Sequence, residues 1–131
     1  SRDPAEVDKY IGDPLCGFLC TNQLWLDLTT GLDQISRQRN IQNIPAALPM
    51  YLMSGERDPL SYDSNRHGIE RLAEHLRTAG VRDVSVKLYE DARHEIFNEI
   101  NRQEVIDDLL DWLAPRFPVT SATRTSAAVT A

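Results

Sequence analysis

What this 131-residue chain has little of narrows it first. It holds two cysteines, Cys16 and Cys20, and three histidines. Spacing of i, i+4 would put both thiols on one helix face. A metal site needs about four ligands, however, and the nearest histidine is His67. The pair therefore reads as two buried free thiols, with no metal expected. Unpaired thiols suit a reducing cytoplasm. Basic residues are outnumbered, and the net charge of −6 argues against nucleic acid or an anionic membrane as partner. No apolar run approaches the roughly 18 residues that span a bilayer, so no transmembrane segment is expected. No secretory signal opens the chain. Ser1 is not an initiator methionine, and the natural N-terminus is expected elsewhere.

The absence with most chemical content is a G-x-S-x-G turn. None of Ser36, Ser54, Ser61, Ser64 or Ser85 sits in a glycine-flanked turn between strand and helix.

What is present can fold: 41% of the residues are hydrophobic, and the length fits one domain. Pro4 can open a short helix reaching about Tyr10. Asn22 can cap a longer helix with Leu24, Leu28, Leu32 and Ile35 at helical spacing, bent or broken at Gly31. The prolines between Asn43 and Pro49 mark a linker. Leu48 to Met53 is apolar at almost every position, as in a parallel-sheet strand buried on both faces. Asn65 to Ala79 has the stripe Ile69, Leu72, Ala73, Leu76 and Ala79, a helix capped by Asp63 or Ser64 and ended at Gly80. Val84 to Tyr89 alternates, as a half-exposed edge strand does. Asn101 to Ala114 is a final helix that buries Val105, Ile106, Leu109, Leu110 and Leu113. Its Asn101 and Glu104 stand at capping-box spacing, and Pro115 helps to end it.

The middle of the chain is thus a strand, a crossover helix and a parallel strand, with a right-handed connection expected. Two strands rarely stand alone, so neighbours are expected from a missing N-terminal half or a complementary chain. The expected organisation is residues 1–47 as cap region and linker, 48–117 as α/β core and 118–131 as a disordered tail.

In open α/β sheets ligands bind at the carboxyl ends of the strands. Asp58 follows the first strand and His94 the second. Each alone is an ordinary loop residue. Together, in register with two strand ends, they match an acid that orients a histidine and a histidine that moves protons. The order acid then histidine is that of α/β-hydrolases, whose nucleophile comes first. His67 and His75 read as surface or capping residues. Glu56, Arg57, Arg93 and Glu95 read as loop ion pairs.

Tyr51-Leu52-Met53-Ser54-Gly55-Glu56-Arg57-Asp58-Pro59-Leu60 and Ala92-Arg93-His94-Glu95-Ile96-Phe97-Asn98-Glu99 resemble the acid and histidine motifs of the monoacylglycerol lipase and lysophospholipase-like α/β-hydrolases, the group labelled serine aminopeptidase. Asp13-Pro14-Leu15-Cys16 and the Trp25 helix resemble the end of that family's cap, and Asp111-Trp112-Leu113 its last helix. The resemblance covers roughly residues 3 to 114.

It implies the C-terminal portion of an α/β-hydrolase fold, with Asp58 as triad acid, His94 as general base and residues 1–47 in a lid. The early strands, oxyanion loop and serine elbow are lacking. The expected function is ester hydrolysis on a small-molecule ester or lipid, without metal or cofactor, and with no activity in these residues alone. Two rivals stand beside it. One is another α/β-hydrolase activity, such as thioesterase, peptidase, dehalogenase or haloperoxidase. The other is a non-catalytic module that completes another chain's sheet.

Overall fold

The structure, a computed structural model, describes residues 1–63 and 66–118. Its centre is a parallel pair, β1 (Met50–Gly55) and β4 (Val84–Tyr89), in register from Met50 opposite Val84 to Gly55 opposite Tyr89. The bounds of β4 are those expected, but Tyr89, on the polar side of its alternation, is buried in the core; β1 starts two residues later than expected. Helix α4 (Gly68–Thr78) carries the chain from one strand to the other. A small antiparallel ladder between β2 (Tyr62–Asp63) and β3 (Arg66–His67) precedes α4.

Strand side chains alternate between two faces. On one face Met50, Leu52 and Val84 pack with Leu76 of α4, Val81 and Ile41. On the other, Met53 and Tyr89 pack with Ala92, Ile96 and Val105, the last from α5 (Arg102–Leu113). Tyr51 stacks on Trp112 of α5 with ring centroids 5.3 Å apart, and the Arg116 guanidinium lies 4.2 Å over that indole. Arg116 also forks onto the Asp83 carboxylate. The sheet is therefore covered by a helix on each face, which explains a first strand that is apolar at nearly every position. Only one edge of β1 is used. Among the described residues no strand lines the other.

Helix α4 ends as its glycine implies. Gly80 has φ +101°, Gly80 N–H donates to Arg77 O and Val81 N–H to Leu76 O, the paired bonds of a Schellman turn. Its start differs from expectation. His67 holds the N-cap position, Glu70 accepts the His67 N–H, and Ser64 lies outside the described residues. In the apolar stripes Ala73, Leu76 and Val105 are buried, but Leu72 and Leu110 are exposed. Asn101 donates to the Glu104 side chain and caps no backbone group.

The N-terminal region is helical as expected, with α1 (Pro4–Gly12), α2 (Asn22–Ser36) and, just before the linker, a short α3 (Gln38–Ile41) that was not expected as a separate helix. Asp3 caps α1, and Thr21 rather than Asn22 caps α2. Gly31 does not break α2, because a cost of about 1 kcal/mol is small beside a full helix ladder. Among the described residues α1 and α2 bury none of their own side chains. Cys16 and Cys20 lie outside helices and are partly exposed, which corrects the reading of two buried thiols on one face. Gly17, at φ +66°, turns the chain between them. The expected tail falls outside the described residues except for position 118. No helix among them is long and apolar enough to cross a membrane.

Candidate active site

Two loops leave the carboxyl ends of β1 and β4 side by side, and their backbones are knitted together. Glu56 N–H donates to Tyr89 O at 2.9 Å, and Arg57 N–H to Ala92 O at 2.8 Å. This contact requires glycine at position 55, where a Cβ would collide with the carbonyl oxygens of Ala92 and Arg93. The sequence shows this glycine, but only the fold shows what it touches.

Asp58 sits in the first loop, 4% exposed. Its Oδ1 accepts the Leu60 N–H at 2.9 Å, a tight turn built by the residue's own side chain. Its Oδ2 accepts the Ser61 hydroxyl at 3.1 Å, with the Ser54 hydroxyl at 3.5 Å. The same Oδ2 lies 3.1 Å from His94 Nδ1. Burial pushes the Asp58 carboxyl up, but the His94 hydrogen bond, the Leu60 N–H and the Ser61 hydroxyl outweigh it and hold it below its ordinary value. An ionised carboxylate only accepts, so the shared proton belongs to His94 Nδ1 and leaves Nε2 of the neutral ring with a lone pair. The His94 side chain is half exposed while Asp58 is covered. The two residues singled out from strand ends thus meet across 36 positions of sequence.

The sequence makes His67 a surface or capping residue. It does occupy a cap position, but its ring is buried and its Nε2 lies 3.0 Å from Gly55 O. A carbonyl only accepts, so Nε2 donates and pins the start of the acid loop. His75 is exposed, as expected. Of the expected loop ion pairs Arg57 makes one, with Asp91 at 3.4 Å. Glu56 instead accepts the Asp91 N–H. Asp91 adopts φ +54°, which glycine tolerates best.

Sequence reasoning did not single out Glu99 or Arg2. Glu99 is completely buried, and it accepts the Arg93 N–H at 2.8 Å and the Arg2 Nε–H at 2.9 Å. Glu99 stands inside the quoted histidine motif, an acid beside apolar Ile96 and Phe97, and that was the available signal. Arg2 had none, because its partner lies 97 positions away. A cleft of about 410 Å³ opens beside the histidine loop, lined by Ser1, Glu6, Val7, Tyr10, Glu95 and Asn98. Among the described residues no three His, Cys, Asp or Glu side chains converge as a metal site requires.

Comparison with known proteins agrees with this architecture. Over 116 residues the chain is 31% identical to a monoacylglycerol lipase of Mycolicibacterium smegmatis, covering 86% of this chain and 37% of that protein. Its fold superposes on a thermostable carboxyl esterase from Bacillus coagulans, solved with glycerol, at TM-score 0.75 and 23% identity, covering 86% of this chain and 36% of the other. It superposes on the monoacylglycerol lipase of Paleococcus ferrophilus at TM-score 0.70 and 26% identity, covering 88% and 41%. The chain therefore spans well under half the length of each of these relatives. The serine aminopeptidase (S33) family model matches residues 1–101. On that match, and on a fold that follows part of an α/β-hydrolase, the chain belongs to the serine aminopeptidase S33 family of hydrolases.

Proposed function

We propose that this chain supplies the acid and the general base of a Ser-Asp-His triad in a hydrolase of carboxylic esters. The nucleophilic serine lies outside these 131 residues. The observation that carries the reading is the buried Asp58 carboxylate 3.1 Å from Nδ1 of a half-exposed His94, at adjacent strand ends. Monoacylglycerol or lysophospholipid-type lipids are the leading substrates. The names of two relatives support the first of these. Thioesters and peptides are the nearer alternatives within the family.

In this mechanism His94 Nε2 takes the serine hydroxyl proton as its oxygen attacks the ester carbonyl. The imidazolium then returns that proton to the departing alcohol, leaving an acyl-serine. Water repeats the sequence: His94 takes its proton, the acyl bond breaks and the serine is reprotonated. Asp58 remains ionised throughout, fixing the ring tautomer and stabilising the imidazolium. The donors that hold the oxyanion come from outside these residues, as does a strand along the open edge of β1. The 131 residues alone are inactive, since losing a triad serine costs about 10⁶ in kcat.

The test uses a polypeptide that includes the nucleophile. His94→Ala should abolish ester turnover, and Asp58→Asn should lower kcat by about 10⁴ with the fold intact. A fluorophosphonate adduct on one serine should form in the parent protein and be strongly slowed in His94→Ala. Normal turnover by His94→Ala would exclude the base assignment.

That open edge also favours a second reading, a non-catalytic module completed by another chain's strand. A complete polypeptide without esterase turnover that binds such a chain would select it.

A further inference from the structure

The histidine loop is held from two sides. In front, the acid loop grips the Ala92 carbonyl through Arg57 N–H, with Gly55 packed against the carbonyls of Ala92 and Arg93. Behind stands Glu99. Burying a carboxylate is costly unless it is paired and hydrogen-bonded. Glu99 is entirely buried and meets both conditions. Its Oε1 accepts Arg93 N–H at 2.8 Å and Arg2 N–H at 3.1 Å, and its Oε2 accepts Arg2 Nε–H at 2.9 Å. Arg2 also donates to the Asn101 side chain at 3.1 Å. The surrounding bonds fasten the same two segments. Ser1 hydroxyl donates to Asn98 O at 2.7 Å, and Arg102 reaches Asp3 at 3.3 Å and Glu6 at 3.6 Å.

Arg93 is the residue before His94, and Glu99 accepts its amide hydrogen. Once that amide and the Ala92 carbonyl are both held, the backbone entering His94 has little freedom. We propose that Glu99 is a positioning residue for His94. It anchors the Arg93 amide, directs the imidazole at Asp58, and uses Arg2 as the counter-ion that ties the loop to residues 1–6. This rests on the reading of His94 as general base. It adds that the base is aimed by an ion pair between a buried carboxylate and a partly exposed guanidinium 97 positions away. Glu99 touches neither the acid nor any reacting atom, so its effect on chemistry passes through the loop.

The test is long-range ¹H–¹⁵N correlation spectroscopy of the His94 ring in the protein and in Glu99→Ala, Glu99→Gln and Arg2→Ala. The parent should show one tautomer, protonated on Nδ1. Glu99→Ala, whose Arg93 N–H has lost its acceptor, should lose that fixed tautomer and show averaged ring signals. Glu99→Gln keeps an acceptor oxygen for Arg93 and should retain the parent pattern. Arg2→Ala should average it partly.

In a polypeptide that includes the nucleophile, Glu99→Ala should lower kcat about 100-fold at unchanged KM, the scale of a small misplacement of a catalytic group. Glu99→Gln should restore most of the loss. A folded Glu99→Ala with the parent His94 tautomer and kcat overturns the proposal. Should that variant unfold, an unchanged tautomer in Arg2→Ala overturns it instead. A parent protein with no fixed Nδ1–H tautomer removes the acid–base reading itself, and this proposal with it.

Discussion

The two loops at the strand ends perform similar tasks by different means. The acid loop is anchored at its start by His67 and by the backbone of the histidine loop, but around Asp58 it is held by its own bonds. Asp58 closes its own turn with Leu60 and Ser61, and Ser54 lies four positions back. The histidine loop depends on distant partners: the acid loop in front and Glu99 with Arg2 behind. A loop built from local bonds can be read from a short stretch of sequence. One built from long-range bonds also inherits the stability of everything it touches, so substitutions far from His94 should act on it more than on Asp58.

The sharpest way to break this contrast is Gly55→Val, which strikes the shared contact. A side chain there meets the backbone of Ala92 and Arg93 rather than flexible atoms. A loss of about 3 kcal/mol or more is expected in urea denaturation, with both loops disturbed. Glu99→Ala comes next, at about 2 kcal/mol, since it leaves the Arg93 N–H without its acceptor and the partly exposed Arg2 without its partner. Amide exchange should rise around Ala92 to Asn98 and stay low around Asp58 to Ser61. Equal loosening of both loops would contradict the contrast.

Acid should separate the loops less than these substitutions do. Burial pushes the Glu99 carboxyl up, but the Arg93 N–H and the Arg2 guanidinium prevail, so Glu99, like Asp58, is held below its ordinary value. A depressed carboxylate stabilises the fold above its unfolded pKa, about 4, and that stability is lost as pH falls through the lower folded value. Stability should be level from neutrality to about pH 5 and fall below about pH 4. Glu99→Gln and Asp58→Asn should each flatten part of that fall.

The smallest expected effect is Asp91→Gly. It relieves a left-handed residue, worth about 1 kcal/mol, and loses an exposed pair with Arg57, worth about 0–1 kcal/mol. The net change in midpoint should be near zero or slightly stabilising.

What was legible in the sequence followed the same division. The alternation of Val84 to Tyr89 and the Gly80 turn are local signals, and both elements formed where expected. The positions of Asp58 and His94 could be read from strand ends, which is why their meeting was foreseeable. The β2–β3 ladder and the helix α3 are too short to carry a period. Thr21 took the cap position from its neighbour Asn22, and α4 begins at Gly68 behind His67, past the Asp63 and Ser64 positions that residue type alone favours. The Cys16–Cys20 spacing misled because Gly17 turns the chain between them. Nothing near Arg2 could announce Glu99.

The stack of Tyr51, Trp112 and Arg116 gives the molecule an optical property. Of the two tryptophans, Trp25 is 53% exposed on α2, while Trp112 has its indole nitrogen buried between sheet and helix. Their fluorescence should therefore report separate events. Emission from Trp25 should follow whatever comes to cover α2. Trp112, viewed alone in a Trp25→Phe protein, should redden only when α5 leaves the sheet, an internal gauge that needs no added dye.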